Sequence, residues 1–304
     1  MTRQVCVLLS TYNGEEYIRT QLDSVLNQED VEVFLYIRDD GSKDQTREIL
    51  HEYAKNNANI FLVEGKNLGF VQSFWTLVKE TRDYAFYAFC DQDDIWDKDK
   101  LKVAVGSLME NKPMLYTSNV ISVNNDMEVL KEKGFPFEGV LSYPDALQRP
   151  VLPGCTFVWN NALHIELQKY SGPQVAHDWT TYIIASAIGK VVYDSKSHIR
   201  YRIHGNNAIG VESFLGKVSH KMHRFIHNDY KNVKSDIAQA ILDIYSLDEY
   251  KQKVTMYFAQ YRKHPSYFFK LMHYKEYQNL NFIFLLITRK VYRCNRTSNC
   301  FFKG

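Results

Sequence analysis

The chain lacks the glycine-rich segments with which most nucleotide-binding proteins cradle phosphate. Neither Gly-x-Gly-x-x-Gly nor Gly-x-x-x-x-Gly-Lys-Ser/Thr occurs in its 304 residues. This argues against a dinucleotide-binding dehydrogenase and a P-loop enzyme, because both bring backbone N–H groups onto phosphate with glycine. The five cysteines show no Cys-x-x-Cys spacing. An odd, unpatterned count argues against a disulfide framework and for a reducing compartment. No apolar run approaches the roughly 18–20 residues of a membrane span; the longest late run is 282–287. Residues 5–9, Val-Cys-Val-Leu-Leu, are too short for the apolar core of a signal peptide. Internal repeats and low-complexity tracts are missing too. The expectation is a cytoplasmic protein, free or at the inner face of the plasma membrane.

What is present is ordinary in bulk, with 45% apolar and 24% charged residues, but uneven along the chain. Residues 1–214 hold 21 Lys and Arg against 29 Asp and Glu, whereas 215–304 hold 16 against 6. Opposite signs suggest different tasks. The division expected is 1–212 as a catalytic domain and 213–304 as a basic, aromatic-rich helical region.

The first half alternates strand and helix patterns. Residues 5–10, 31–38, 60–63 and 84–90 read as strands. Residues 15–27 carry Ile18, Leu22, Val25 and Leu26 at helical spacing, and 70–78 read as a helix. Ser42, with Gln45 three residues on, has the pattern of a helix-capping box. This order predicts an α/β fold with a mostly parallel sheet covered by helices on both faces. Such sheets bind ligands beyond the carboxyl ends of their strands. Three polar clusters are expected there: Ser10-Thr11-Tyr12-Asn13, Asp39-Asp40-Gly41-Ser42 and Asp91-Gln92-Asp93-Asp94. The last is the most telling. A buried apolar strand stops at three carboxylates, which suits a hard divalent cation held between protein and phosphate oxygens. Further on, 119–143 reads as a hairpin or excursion, 151–160 and 191–203 as strands, and 179–188 as a short helix. Helical spacing returns at Phe214, Val218, Met222 and Phe225, at Ile237, Ile241 and Ile244, and at Tyr250, Val254, Tyr257 and Tyr261. Pro265 then interrupts, with one or two helices over 267–292.

Seven segments in one order carry a resemblance. They are Leu9-Ser10-Thr11-Tyr12-Asn13-Gly14-Glu15, Arg38-Asp39-Asp40-Gly41-Ser42, Asn67-Leu68-Gly69, Asp91-Gln92-Asp93-Asp94-Ile95-Trp96, Gly154-Cys155-Thr156, His177-Asp178-Trp179 and Tyr201-Arg202-Ile203-His204-Gly205-Asn206-Asn207. Across residues 5–210 the chain resembles the family 2 glycosyltransferases, inverting enzymes of the GT-A fold. The last three segments look most like the branch of bacterial rhamnosyltransferases that builds cell-surface polysaccharides.

The resemblance implies roles. Ser10, Thr11, Tyr12, Asn13, Glu15, Asp40, Asn67, Asp91, Gln92 and Arg202 would bind the nucleotide sugar, with Tyr12 packing on the base and Asp40 accepting the N3–H of uracil or thymine. Asp39 would only shape its turn. Asp93, Asp91 and His204 would hold Mg²⁺ or Mn²⁺, His204 standing equally for a structural hydrogen-bonder. Asp178 would take the acceptor hydroxyl proton, a role worth roughly 10²–10⁴ in rate. Trp96 and Trp179 read as packing residues and Cys155 as core filler. The donor implied is dTDP-rhamnose, with UDP-hexoses or UDP-N-acetylhexosamines as alternatives, and the acceptor a lipid-linked saccharide. A non-catalytic sugar-nucleotide-binding scaffold is the alternative of another class. The C-terminal region reads as docked helices, a peripheral membrane contact or a homodimer interface. No nucleic-acid-binding module accompanies its charge.

Overall fold

A computed structural model describes residues 3–109, 111–137, 141–204 and 233–277. The chain divides into two compact units. One comprises Met1–Tyr170 and Gln174–Gly210, the other Ser171–Pro173 and Val211–Gly304.

The first unit is built on a nine-stranded sheet. Its parallel half consists of β1 (Arg3–Thr11), β2 (Val31–Asp39), β3 (Ile60–Glu64) and β4 (Phe86–Cys90), in the order β3-β2-β1-β4. Residues 5–9 and 86–90 are buried on both faces, as continuous apolar strands of parallel sheets are. The helices that cover them follow from side-chain alternation. Val5, Val7 and Leu9 face α1 (Ile18–Leu26), α2 (Thr46–Asn56) and α4 (Lys100–Gly106), sharing one core with Ile18, Leu22, Val25, Ile49, Leu50 and Leu101. On the opposite face Phe89 meets Phe74 of α3 (Phe70–Glu80), and Tyr87 stacks on His164 of α6 (Asn161–Lys169).

Beyond β4 the sheet continues through β8 (Val158–Asn160), β6 (Met114–Val123), β9 (Lys190–Arg202) and β5 (Ile95–Trp96), with β7 (Val129–Lys131) on β6. The parallel ladders are the long ones; each antiparallel ladder pairs only two or three residues of a strand. Two short helices, α5 (Tyr143–Gln148) and α7 (His177–Ile188), complete the unit.

Register decides where the loops meet. Thr11 pairs with Asp39, Leu9 with Cys90, and Asp39 with Glu64, so the carboxyl ends of the first four strands lie side by side. The order turns back on itself between β1 and β4, which places the crevice of such a sheet at their tips. From the other half, Ile95 pairs with Arg200, and this brings the end of β9 beside residues 93 and 94.

Several expectations need correction. Ser42 caps no helix: α2 begins at Thr46, and the Ser42 hydroxyl donates to Asp39 Oδ2. The fourth strand starts at Phe86, after Asp83 turns the chain at φ 68°. Asn119 begins no excursion but lies inside β6, whose hairpin with β7 comes later. Residues 151–160 are not one strand; Gly154–Thr156 form a 3₁₀ turn before β8.

In the second unit, α8 (Val233–Ile244) buries Ile237, Ala238 and Ile241, and α9 (Glu249–Gln260) buries Val254 and Phe258. The Ser235 hydroxyl donates to the Phe258 carbonyl at 3.1 Å. Pro265 occupies the first turn of α10 (Pro265–Leu271), where its missing N–H costs nothing. The helical spacing noted at Phe214–Phe225 and beyond Tyr277 lies outside the described residues. Among those described, no helix is long and apolar enough to cross a membrane.

Candidate active site

One wall of the crevice is made by the loops after β1, β2 and β3, and its polar groups are mostly spent on one another. Asp39 is fully buried. It accepts from the backbone N–H groups of Gly41 and Ser42 at 3.2 and 3.0 Å and from Arg47 Nε at 3.0 Å, which shapes the turn. Asp40 is buried as well. It pairs with Arg38 at 2.7 Å and accepts from the N–H groups of Leu68 and Gly69 at 2.8–3.0 Å. Gly69 adopts φ 82°, a left-handed conformation that suits glycine. Asn67 is exposed, and its Oδ1 accepts from the Gly69 N–H at 3.1 Å. Asn13, with φ 49°, accepts from the Lys43 N–H and is held through its own N–H by the Ser42 hydroxyl, each at 2.9 Å. Glu15 accepts from the Gln45 N–H at 2.8 Å. The Ser10 hydroxyl donates to Ser73 of α3 at 2.6 Å.

Gln92 joins β1 to β4. Its Oε1 accepts from the Thr11 hydroxyl at 2.6 Å and the Tyr12 N–H at 2.9 Å, and its Nε2 donates to the Tyr12 carbonyl at 3.3 Å. Only a glycine at position 14 leaves room for it, since a Cβ there would stand 2.5 Å from Gln92 Oε1. The Tyr12 side chain stays exposed at the rim.

The carboxylates after β4 form the second part. Asp91, Asp94 and Cys155 each offer a ligand atom within 4.8 Å of the others. Loss of water and the charges of Asp93 and Asp178 push the Asp91 carboxyl up to about 8. Burial, then Asp93 and Asp91, also raises Asp94. One Asp94 oxygen accepts from the Arg202 N–H at 3.2 Å; the other is buried, with the Cys155 thiol close by. Beneath them lies Lys100, 1% exposed, its Nζ 3.5 Å from the centre of the Trp96 ring. Burial pulls its ammonium down to about 8. Asp93 lies outside that group but near enough for its charge to raise both carboxyls, and His204 Nε2 donates to its Oδ2 at 2.9 Å. Arg202 Nε donates to the Asp93 carbonyl at 3.0 Å and Nη1 to the Asn125 carbonyl at 2.8 Å.

The third part is Asp178, in the first turn of α7. Its Oδ1 accepts from the Trp179 N–H at 2.6 Å. A Cβ at Gly154 would stand 2.6 Å from Asp178 Cβ and 3.2 Å from its Oδ2, so this glycine is the seat of the carboxylate. His177 stacks on Phe74 at 3.9 Å and meets Phe89 edge-on at 4.7 Å. Among the described residues neither ring nitrogen has a hydrogen-bond partner, and burial pulls its imidazolium down to about 4.

The donor set suits a hard divalent cation. Carboxylate oxygens dominate, and adjacent carboxylates kept out of water are an arrangement such a cation relieves. The structure thus gathers the three expected clusters at one end of the sheet. Asp91 and Asp94 share one group, while Asp93 and His204 form a pair beside it. Lys100 and Tyr17 escaped sequence reading, and Gly154 was quoted within Gly154-Cys155-Thr156 without a role of its own. No local pattern marks Lys100 as buried, and Tyr17 lies far in sequence from the ring and guanidinium it touches.

Comparison with known proteins identifies the family and the fold. The Glycosyl transferase family 2 model matches residues 6–172. The chain is 33% identical over 250 residues to the dTDP-rhamnosyl transferase RfbG of Shigella flexneri, covering 77% of this chain and 85% of that protein. It is 30% identical over 154 residues to the putative teichuronic acid biosynthesis glycosyltransferase TuaG of Bacillus subtilis (strain 168), covering 51% and 60%. Among solved structures, S. aureus TarS 1-349 in complex with UDP-GlcNAc matches with a TM-score of 0.60 at 20% identity, covering 94% of this chain and 81% of that one. The fold is therefore of the GT-A type, and the chain belongs to glycosyl transferase family 2 as a glycosyltransferase.

Proposed function

We propose that this glycosyltransferase moves L-rhamnose from dTDP-rhamnose to a lipid-linked saccharide or growing polysaccharide, with inversion and with help from a divalent cation. The observation that carries the reading is the nearness of two acidic groups in one crevice: Asp91 and Asp94 at the strand tip beside Cys155, and Asp178 seated on Gly154, the neighbour of that cysteine. One group handles the leaving diphosphate and the other a proton. Rhamnose is favoured because the similarity to the Shigella flexneri enzyme covers 77% of the chain, more than the family model spans.

In the proposed reaction Asp178 Oδ2, lying over Gly154, receives the acceptor hydroxyl proton while Oδ1 stays on the Trp179 N–H. The freed oxygen attacks the anomeric carbon from the face opposite the diphosphate. The bond to the diphosphate oxygen breaks, and dTDP departs with the electron pair through an oxocarbenium-like transition state. Asp91 and Asp93, with His204, would hold Mg²⁺ or Mn²⁺, which when bound neutralises charge on the departing diphosphate. Arg202 adds a fixed positive charge at the same end. Tyr12, exposed at the rim, would pack on the base. Asp40 would meet the base N3–H through an oxygen already shared with residues 68 and 69, so it supports that loop first.

The acceptor would be presented at an anionic membrane surface, to which the basic residues of 213–304 would be drawn at about 1 kcal/mol each. Exposed Phe269 and the Lys270 ammonium over the Tyr257 and Tyr267 rings are in keeping with this. Flotation of the full chain with anionic but not neutral vesicles is the expected result.

A thermal-shift panel of dTDP-rhamnose, UDP-glucose, UDP-galactose and UDP-N-acetylglucosamine with Mn²⁺ tests the donor. A ligand that binds only the folded protein raises its stability in proportion to the logarithm of saturation. Stabilisation by a UDP-sugar and none by dTDP-rhamnose would overturn the rhamnose assignment.

A further inference from the structure

Tyr17 stands at the entrance to α1, where no charge or motif marks it as functional. Its backbone N–H donates to the Gly14 carbonyl at 3.0 Å, which ties it to the loop that carries Ser10–Asn13. Its ring reaches across the crevice to the end of β9. It stacks on the His204 imidazole, with centroids 4.8 Å apart and planes 25° from parallel, and the Arg202 guanidinium carbon lies 4.9 Å from the centre of the same ring. The phenol oxygen reaches Asn125 Oδ1 at 3.5 Å, and Arg202 donates to the carbonyl of that same asparagine.

The last ladder pair of β9 is Val123 with Arg202, so His204 lies beyond the sheet. No strand pairing holds its side chain, which depends on contacts of its own. One is its hydrogen bond to Asp93 and another is the face of Tyr17. An aromatic face attracts a guanidinium electrostatically and stacks on an imidazole through dispersion, with a cation contact gaining strength as water is excluded. One ring therefore serves two cation-capable side chains from different positions, and it is anchored on the nucleotide loop.

We propose that Tyr17 is a positioning residue for the diphosphate: it holds Arg202 and His204 in place before the nucleotide arrives, so that their ordering is not charged against binding. The inference rests on the assignment of Arg202 and His204 to the diphosphate end. It concerns only the phosphate most distant from the nucleoside, whichever base the donor carries.

The test compares nucleoside diphosphate with monophosphate. Affinities of dTDP, dTMP, UDP and UMP are measured by calorimetry with Mn²⁺ for wild type, Tyr17→Leu, Tyr17→Phe, Arg202→Ala and His204→Ala. Tyr17→Leu is expected to lower the diphosphate-to-monophosphate affinity ratio about tenfold with monophosphate binding kept, and Tyr17→Phe to restore the ratio to within about twofold. Tyr17→Met provides the same test with similar bulk should the leucine variant not fold. An unchanged ratio in Tyr17→Leu, with a reduced one in Arg202→Ala or His204→Ala, overturns the role of Tyr17 alone. An equal loss of monophosphate and diphosphate binding in the leucine and methionine variants also overturns it, by making the ring merely structural. Unchanged ratios in Arg202→Ala and His204→Ala together overturn the assignment beneath it.

Discussion

The two walls of the crevice are built in opposite ways. On the wall of β1, β2 and β3, almost every polar side chain is already bonded. Asp39 is spent on its own turn, Asp40 on residues 38, 68 and 69, and Asn13 and Glu15 on the facing loop. On the wall of Asp91, Asp94, Asp178 and His177, charge lies near like charge, and among the described residues one Asp94 oxygen and both His177 nitrogens have no hydrogen bond. The first wall is finished without ligand, as a recognition surface must be to bind at low ordering cost. The second is electrostatically incomplete, as befits groups whose partners arrive with the substrate.

This contrast can be broken by substitution. On the unfinished wall, Asp178→Asn should lower kcat by roughly 10²–10⁴ with donor affinity and unfolding midpoint nearly unchanged; steady-state kinetics beside calorimetry would check it. On the finished wall, Asp40→Ala should act first on stability. It leaves the buried Arg38 guanidinium without its carboxylate and the Leu68 N–H without its acceptor, and losing one partner of a buried pair costs about 3–5 kcal/mol. Urea denaturation would read this, and a variant as stable as wild type would erase the distinction between the walls. Gly154→Ala should displace Asp178 and lower kcat by up to about 10²-fold, with a smaller change in melting temperature than Asp40→Ala.

The smallest effect is pH-dependent. His177 is held down to about 4 by burial, against about 6.5 unfolded. Its folded value lies below its unfolded one, so its contribution is complete above about pH 6.5 and is lost as pH falls toward 4. Between pH 7 and 5 that amounts to about 2 kcal/mol. His164 behaves alike. Its Nδ1 accepts from Trp159 Nε1 and its Nε2 donates to the Thr81 carbonyl, and burial pulls it to about 4. His177→Phe should flatten the pH dependence of stability by His177's share alone, measured by urea titration at both pH values.

The parallel half was readable because its signals are local. A strand end, a turn residue and the next helix lie within a dozen positions, and the register of parallel strands then aligned the three clusters. In the other half β9 and α7 were readable, as a strand over 191–203 and a helix over 179–188, but the shortest strands were not. β8 contributes three residues and β5 two, too few for alternation to show. Gly154 owes its identity to a carboxylate on another element. Ser42 illustrates a local rule that lost to a competitor: its hydroxyl had a buried carboxylate nearer than any helix N–H. The acid motif itself was legible, but not its division, with Asp93 turned to His204 and Asp91 to Cys155.

Gln92 sits between two aspartates and yet contributes no charge. Its amide fastens the tip of β1 to the tip of β4 with three hydrogen bonds and occupies the only space that Gly14 leaves. The opening between those strands therefore has a width set by the protein and not by its cargo. In the proposed arrangement a jaw fixed on one side would make selectivity a matter of length: a donor too short to span from the rim at Tyr12 to the acid cluster could not be gripped by tightening. Accommodation of different sugars then falls to the opposite side, where β9 ends and α7 begins.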